Sequence, residues 1–166
     1  ILFPELCITG YSCADLFMQD LLIEKAEEGM FKLAKSCTGH RIAIVGLPVR
    51  YEDELYNCAA VLHNQKVIGI VPKRYLPGYD EFYEPRWFKP GKMTCKRYKN
   101  NIPIGIDLLF KNDCGKKSFV LGVSLCEDDW VPIPPSAEMA LNGANILRVH
   151  DVKEAVEAIK IVAQVS

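Results

Sequence analysis

The sequence predicts an α/β fold, and three observations support that class. Runs of β-branched and apolar residues, typical of buried strands, recur along the 166 residues. Segments with apolar residues at helical spacing alternate with these runs. With 49% hydrophobic and 25% charged residues, the composition is that of an ordinary globular protein, which argues against disorder, a coiled coil or a collagen-like fibre.

The first half of the chain predicts one helix and several strands. Residues 1–3 resemble the end of a strand, and residues 14–36 carry apolar residues at the spacing of a helix. Arg41–Val49 is a β-branched run that predicts a strand buried on both faces. Leu55–His63 and Lys66–Val71 flank a two-residue polar turn, which predicts a hairpin.

The second half begins with a long loop, Pro72–Pro103, that is rich in proline, glycine, tyrosine and charge. A loop of this length in a compact domain is more often functional than idle. The segments after it predict three strands, Ile104–Phe110, Ser118–Leu125 and Asn145–Val149, and two helices, Ser136–Leu141 and the amphipathic Asp151–Val165.

Charge and cysteine usage exclude several classes of protein. The net charge of −1 gives no electrostatic reason to expect nucleic acid or an anionic membrane as a partner. No run of 18 apolar residues is present, which argues against a membrane-spanning segment. The opening residues lack a basic region and include Glu5, which argues against a secretory signal. The seven scattered cysteines lack CxxC spacing, which argues against a disulfide framework or a zinc site and predicts a cytoplasmic location.

Residue type and local sequence alone make three residues candidates for a functional site. Cys126 follows the apolar run FVLGVSL at the start of an acidic turn, and Lys73 follows the run VIGIVP. Glu5 lies in the apolar segment FPELC, and a carboxylate buried there needs a partner. The residues leave two interpretations open: a structural Glu–Lys ion pair, or a base and a cation that flank a thiol.

Four motifs carry a resemblance to a known family: FPELCITGYSCADLF, VGLPVRYEDELYNCAAV, VPKRYLPGYDEFYEPRWFKPG and LGVSLCEDDWVPIPPS. In this order they resemble the glutamine-hydrolysing domain of glutamine-dependent NAD synthetases, which belongs to the nitrilase, or carbon–nitrogen hydrolase, superfamily. The resemblance covers residues 1 to about 147. It implies a partial nitrilase-like α-β-β-α sandwich that assembles into homo-oligomers, and the amphipathic helix predicted from the sequence follows it at the C-terminal end.

The resemblance also implies roles for individual residues. The positions implied to be catalytic are the general base Glu5, the lysine Lys73, the nucleophile Cys126 and the supporting glutamate Glu81. The positions implied to line the glutamine pocket are Tyr79, Glu127 and Trp130. If these roles hold, the side chains of Glu5, Lys73 and Cys126 converge.

The implied reaction is hydrolysis of the glutamine side-chain amide through a thioester. Its ammonia passes to a synthetase domain that makes NAD from nicotinic acid adenine dinucleotide and uses ATP and Mg²⁺. The hydrolysis itself needs neither a metal nor an organic cofactor. No Gly-rich phosphate loop is present in this sequence, and the strand and helix that open the family domain are expected upstream of Ile1.

The sequence departs from this family after about residue 147. The end, RVHDVKEAVEAIKIVAQVS, resembles the end of dihydropteroate synthase, where Arg148 and His150 would contact a pterin diphosphate. We therefore predict a truncated hydrolase domain over 1–147, a helical segment over 148–166 and a composite chain. Three alternatives remain: another nitrilase-superfamily amidase, an inactive folded fragment and, least favoured, a folate-pathway transferase.

Overall fold

The computed structural model describes residues 1–113 and 118–148, and the chain divides into two compact units, Ile1–Ile106 and Asp107–Ser166. Helices and sheets are present in both units, so the predicted α/β class is confirmed. The predicted helix Asp151–Val165 lies outside the described residues. The predicted boundary near residue 147 adjoins that part of the chain and stays a prediction.

The first unit is built on a five-stranded sheet. Its strands are β1 (Ile42–Tyr51), β2 (Glu54–His63), β3 (Lys66–Pro72), β4 (Lys96–Tyr98) and β5 (Ile102–Ile104). The order across the sheet is β1-β2-β3-β5-β4, with antiparallel pairs except for the parallel pair β3 and β5. The long, nearly fully buried middle of β1 and β2 agrees with their apolar sequence.

Tight turns set the register of the two long hairpins. Asn64 and Gln65 have φ of 45° and 63°, and Glu52 and Asp53 have φ of 48° and 64°. Two consecutive residues with positive φ are typical of the type I′ turn, whose twist matches that of paired strands. The hairpin predicted around Asn64-Gln65 is therefore confirmed.

Helix α1 (Asp20–Ser36) covers one face of this sheet with a buried stripe that includes Ile23, Ala26, Met30 and Ala34. The predicted helix over 14–36 was wrong in its first part, where a 3₁₀ segment occupies Tyr11–Met18. The backbone explains the difference, because Ala14 has φ 49° and ψ −133° and Gln19 is extended. Neither residue can continue an α-helical hydrogen-bond ladder.

The long loop after β3 contains more regular structure than its sequence indicates. It includes a 3₁₀ turn at Glu84–Arg86 as well as β4 and β5. The predicted strand Ile104–Phe110 was wrong, because Ile104 ends β5 and a turn separates it from Phe110. β5 pairs with β4 over three residues and joins β3 at the single pair Ile70–Ile104, so only its attachment to the rest of the sheet is long-range.

A second apolar cluster in the first unit lies beneath the 3₁₀ segment Tyr11–Met18. It consists of Leu6, Phe17, Ile23, Leu55 and Phe88. The ring of Phe17 packs 5.0 Å from that of Phe88 and 5.8 Å from that of Trp87, centroid to centroid. These contacts fix the loop that follows Glu84 against the segment that follows Glu5.

The second unit contains a three-stranded sheet and one helix among its described residues. The strands are β6 (Phe110–Asn112), β7 (Phe119–Val123) and β8 (Ile146–Arg148), and the helix is α2 (Pro135–Leu141). The strand order is β6-β7-β8, with β6 and β7 antiparallel and β7 and β8 parallel. The helix predicted over Ser136–Leu141 is confirmed, and β7 and β8 lie within the two strand segments predicted around them.

Candidate active site

Glu5 lies on a turn that packs directly on the middle of β1. The amide of Ile8 donates to the carbonyl of Gly46 at 3.1 Å. A Cβ atom at Gly46 would overlap the amide nitrogen of Leu6 and lie 2.9 Å from the carbonyl carbon of Glu5. The lack of a side chain at Gly46 therefore allows the turn that carries Glu5 to sit on the sheet.

Lys73 directly follows β3 and is buried, with 1% of its surface exposed. Its backbone N–H donates to the carbonyl of Asn57 at 2.8 Å, and its carbonyl accepts from the N–H of Gly91 at 2.7 Å. Because both backbone groups are paired, the side chain leaves the sheet from a fixed position. The strand end thus brings a buried ammonium group close to Glu5.

Two carboxylates hold that ammonium group. Lys73 Nζ donates to Glu5 Oε1 at 2.8 Å and to Glu84 Oε1 at 2.7 Å. Glu84 begins the 3₁₀ turn of the long loop and is 2% exposed, whereas the side chain of Glu5 is 15% exposed. The ion pair expected for Glu5 is present, and Glu84 adds a second one that the sequence did not predict.

Two further polar side chains, the buried Asn57 and the exposed Tyr11, complete this cluster. Asn57 Nδ2 donates to Glu5 Oε1 at 2.6 Å and to Glu84 Oε2 at 3.2 Å. The hydroxyl of Tyr11 donates to Glu84 Oε1 at 2.7 Å. The five residues, which we call the Lys73 cluster, are Glu5, Tyr11, Asn57, Lys73 and Glu84.

The electrostatics of the Lys73 cluster favour a charged lysine. Burial alone would lower the pKa of Lys73, but the nearby charges of Glu5 and Glu84 and their hydrogen bonds raise it above its ordinary value. A buried ammonium group with two carboxylate partners is compensated for its lost hydration. Lys73 can therefore act as a fixed cation at neutral pH, not as a base.

The resemblance implied that Glu81 supports the catalytic residues, but another glutamate contacts Lys73. Glu81 is exposed, whereas Glu84, three residues later in the same loop, makes the contacts with Lys73. Two glutamates at this spacing in YDEFYEP are equally good candidates by residue type. Glu84 begins a 3₁₀ turn with Pro85 directly after it, but only the fold shows that the carboxylate of Glu84, and not that of Glu81, contacts Lys73.

An exposed ion pair lies next to the Lys73 cluster along the chain. Asp15 accepts from Arg86 Nε at 2.7 Å and Nη2 at 2.9 Å, and from the indole N–H of Trp87 at 2.9 Å. Hydrogen bonds from Arg86 and Trp87 hold the pKa of Asp15 well below its usual range. We call these three residues the Asp15 fork; it joins the segment after Glu5 to the loop that carries Glu84.

Cys126 lies in the second unit, where β7 has ended and a 3₁₀ turn, Cys126–Asp129, begins. It is half-buried and has φ 42°, a left-handed conformation that is uncommon for a residue with a side chain. The carboxylate of Asp129 accepts from the Ser124 hydroxyl at 2.7 Å, and Asp128 Oδ2 accepts from the Leu125 amide at 3.3 Å. The acidic turn thus braces the backbone on both sides of the thiol.

The residues implied to line a substrate pocket are divided between the two units. In the first unit Tyr79 is 52% exposed, and its ring packs edge-on against Phe82 at 5.8 Å between centroids. In the second unit Glu127 is half-buried and Trp130 is 59% exposed. Their role in binding glutamine stays a prediction.

The structure thus brings together Glu5 and Lys73 of the predicted catalytic residues. The first unit holds this pair and the second holds Cys126, and the meeting of all three stays a prediction. Arg148 ends β8, but its side chain, like the whole of His150, lies outside the described residues. The anion site predicted for these two residues therefore also stays a prediction.

Neither a cluster of metal-ligating side chains nor a membrane-spanning helix is found among the described residues. Across residues 1–113 and 118–148, no group of three or more His, Cys, Asp or Glu side chains is arranged to hold a metal ion. Within that same part of the chain, no helix has both the length and the apolar character needed to cross a membrane.

Comparison with known proteins decides the family. The sequence profile of the carbon–nitrogen hydrolases matches residues 1–163. The chain belongs to the carbon–nitrogen hydrolase family. It is therefore a hydrolase domain, and the profile extends into the segment 148–166, whose resemblance to dihydropteroate synthase stays a prediction.

Relatives narrow the place of this carbon–nitrogen hydrolase within its family. A glutamine-dependent NAD(+) synthetase of Mycobacterium tuberculosis is 43% identical over 149 residues, 87% of this chain and 22% of that protein. The corresponding enzyme of Aquifex aeolicus is 33% identical over 148 residues, 89% of this chain and 23% of that protein. The chain thus spans about a fifth of the length of these relatives.

Solved structures support the same placement. A glutamine-dependent NAD(+) synthetase from Cytophaga hutchinsonii superposes with a TM-score of 0.72 and 32% identity, over 94% of this chain and 26% of that one. A carbon–nitrogen hydrolase from Helicobacter pylori, at 21% identity, shares the fold with a TM-score of 0.58 over 99% of this chain and 54% of that one. The nitrilase-like fold expected from the sequence is therefore confirmed.

Proposed function

We propose that this carbon–nitrogen hydrolase domain releases ammonia from the side-chain amide of glutamine through a thioester on Cys126. The observation that carries the proposal is the buried Lys73 ammonium held between Glu5 and Glu84. Homology supports the substrate, because the relatives are glutamine-dependent NAD(+) synthetases. Together these place a fixed cation and a carboxylate in a domain whose family cleaves carbon–nitrogen bonds.

In the first half of the proposed reaction the amide bond breaks. Glu5 takes the proton of the Cys126 thiol, and the thiolate attacks the amide carbon of the substrate. The resulting oxyanion is stabilised by the Lys73 ammonium and by the backbone N–H of Glu127. Glu5 then returns its proton to the leaving nitrogen, the carbon–nitrogen bond breaks, and ammonia departs from a thioester.

In the second half water cleaves the thioester. Glu5, ionised again, takes a proton from water, and the hydroxyl attacks the thioester carbon. The carbon–sulfur bond breaks, the Cys126 sulfur regains its proton and glutamate leaves. The sum is glutamine plus water giving glutamate plus ammonia, with no redox change and with every proton returned.

We assign the supporting carboxylate of this scheme to Glu84 in place of Glu81. Glu84 contacts Lys73 and keeps it charged, which a group on the exposed position 81 does not do. Tyr79, Glu127 and Trp130 would line the glutamine pocket. A charged lysine matters here because only the ammonium form stabilises an oxyanion.

The ammonia acceptor is the largest extension of the proposal. By homology, the released ammonia would serve a synthetase domain that makes NAD, and the ATP and Mg²⁺ of that step would act there. Assembly into homo-oligomers and a cytoplasmic location complete the proposed setting. The hydrolysis scheme uses side chains and backbone groups of this chain together with water.

Ammonia release tests the proposal directly. Wild-type protein is incubated with glutamine, and ammonia is measured with and without Cys126→Ala; hydrolysis is expected to fall to background in the variant. A glutamine-like diazo ketone is expected to alkylate Cys126 in intact-mass and peptide mapping experiments. Exposed Cys95 provides the matched control, since Cys95→Ala is expected to leave both readouts unchanged.

Three outcomes would contradict the proposal. Equal alkylation of Cys95 and Cys126 would indicate ordinary thiol reactivity and not a poised nucleophile. A folded wild-type protein that releases no ammonia from glutamine, but does so from another amide, would favour a different nitrilase-superfamily amidase. Release from neither would identify a folded but inactive domain.

A further inference from the structure

Asn57 is an unexpected member of the Lys73 cluster. It lies in the middle of β2 and is completely buried, in the apolar run LYNCAAVL. A buried amide side chain in a strand core is costly unless its polar atoms are paired. The contacts of Asn57 therefore show which groups offset the cost of burying its amide.

The side chain of Asn57 donates to both carboxylates that hold the lysine. Its single nitrogen carries two protons, and it lies 2.6 Å from Glu5 Oε1 and 3.2 Å from Glu84 Oε2. Its backbone carbonyl accepts from the amide of Lys73 at 2.8 Å. One residue thus contacts all three charged members of the cluster.

The charge of the cluster explains why a neutral donor belongs there. Two carboxylates and one ammonium group leave a formal charge of −1, so the carboxylates repel each other across the lysine. A neutral –NH₂ group satisfies both carboxylates without a second cation that would compete for Lys73's partners. A hydroxyl has only one proton to give, and an aspartate at this position would add a third negative charge.

The other end of the Asn57 amide is unpaired. Oδ1 is buried and has no hydrogen-bond partner among the described residues. An asparagine that served only to stabilise the core would be expected to pair both ends. The two hydrogen bonds that Nδ2 donates therefore fix the orientation of the Asn57 side chain. The unpaired Oδ1 lowers the free energy of unfolding.

The contacts also distinguish the two oxygens of Glu5. Oε1 accepts from both Asn57 and Lys73, whereas no donor among the described residues is hydrogen-bonded to Oε2. An oxygen with two donors is a poor proton acceptor, and its partner on the same carboxylate is the more basic site. The arrangement therefore selects Oε2 as the atom that takes a proton.

We propose that Asn57 is a positioning residue that bridges Glu5 and Glu84 and makes Glu5 Oε2 the basic oxygen of the reaction. This inference rests on the proposed amide hydrolysis, because a selected basic oxygen has a role only if Glu5 moves protons. Asn57 itself does not contact the reacting atoms. It acts through the carboxylate whose orientation it fixes.

The test compares Asn57→Leu with wild type in glutamine hydrolysis. Leucine is similar in volume and donates nothing, so kcat is expected to fall about 100-fold, as misplacement of a reacting group can cause, while KM changes less than threefold. Cys58→Ala is the matched control. Cys58 is the next residue of β2, is equally buried and packs in the helix-covered core, so its truncation should lower stability but change kcat less than threefold.

The pH dependence of activity in Asn57→Asp distinguishes a positioning role from a purely structural one. The introduced carboxyl can donate one hydrogen bond only when protonated, and two neighbouring carboxylates favour that form. Its activity relative to wild type is expected to rise as the pH falls from 8.5 to 6. The ratio for Asn57→Leu should stay flat over the same range.

The possible results separate the inference from the proposed function. Wild-type kcat in a folded Asn57→Leu protein, or an equal loss in Cys58→Ala, would overturn the positioning role while amide hydrolysis stands. A flat pH ratio for Asn57→Asp would also overturn it. Wild-type protein without hydrolysis or Cys126 alkylation would remove the proposed function and the inference with it.

Discussion

The Lys73 cluster and the Asp15 fork both pair a cation with carboxylate oxygens, but one pairing is buried and the other is exposed. Both pair carboxylates with a cation at 2.7–2.8 Å, and both join the first twenty residues to the long loop after β3. The Lys73 side chain is fully buried, whereas the Asp15 and Arg86 side chains are 61% and 57% exposed. Water screens the exposed Asp15–Arg86 pair far more than the Lys73 pairs. Similar N···O distances therefore correspond to very different interaction energies in the fork and in the cluster.

Removal of the buried cation should give the largest effect. Lys73→Met leaves the buried Glu84 and the partly buried Glu5 without their cation, and a broken buried pair costs about 3–5 kcal/mol. We expect urea unfolding to show a loss of this size and glutamine hydrolysis to disappear. Lys66→Met, at the exposed start of β3, is the control and should change neither.

The pH dependence of that effect follows from the raised pKa of Lys73. A folded pKa above the unfolded value of about 10.4 means that the contribution is fully present below that pH and is lost as the pH rises through the folded value. Titration of Lys73 should therefore narrow the stability gap between wild type and Lys73→Met in strongly alkaline solution. A gap that closed near pH 7 would contradict the assignment of a charged buried lysine.

A double variant is expected to change stability by an intermediate amount. In Lys73→Met/Glu84→Gln one of the stranded carboxylates is neutral, so roughly 1–3 kcal/mol of the lost stability should return, as expected for coupled groups in one network. Urea unfolding of the single and double variants measures this recovery. Lys73→Met/Glu81→Gln is the control, because Glu81 is exposed and should restore nothing; equal recovery in both would contradict the placement of Glu84.

The smallest effect is expected at the fork. Asp15→Asn removes the charge that Arg86 pairs with, and at pH 7 the melting temperature should fall slightly. Since the folded pKa of Asp15 is lowered, its contribution is present above the unfolded value of about 3.9 and is lost as the pH falls through the folded one. Melting curves of both proteins should converge in strong acid and in high salt; a constant difference would show that charge is not the cause.

Much of the first unit could be predicted from sequence because its signals are local. The β-branched runs of β1 and β3 and the Asn64-Gln65 turn fix the sheet without reference to distant residues. The start of α1 could not be predicted, since apolar spacing continues through 14–18 while the backbone at Ala14 and Gln19 breaks the helix. β4 and β5 were missed because three residues are too few to show an alternating pattern, and β5 joins the rest of the sheet through the single distant pair Ile70–Ile104.

The candidate site was predictable to a similar, partial degree. A carboxylate in the apolar segment around Glu5 had to find a partner, and Lys73 is that partner. Glu84 was missed because residue type does not distinguish it from Glu81, and only tertiary placement does. Asn57 gave a usable signal, since an amide within a buried strand must also be paired, but nothing local names its partners.

The way the Lys73 cluster is gathered has a consequence for folding. Glu5 reaches Lys73 across 68 residues and Asn57 across 52, so no short stretch of the chain can assemble the charges by itself. A growing or half-folded chain presents these groups separately, each hydrated and chemically ordinary. In the proposed mechanism, the capacity to activate the Cys126 thiol would arise only when the sheet is complete, and an immature polypeptide would be protected from its own reactivity.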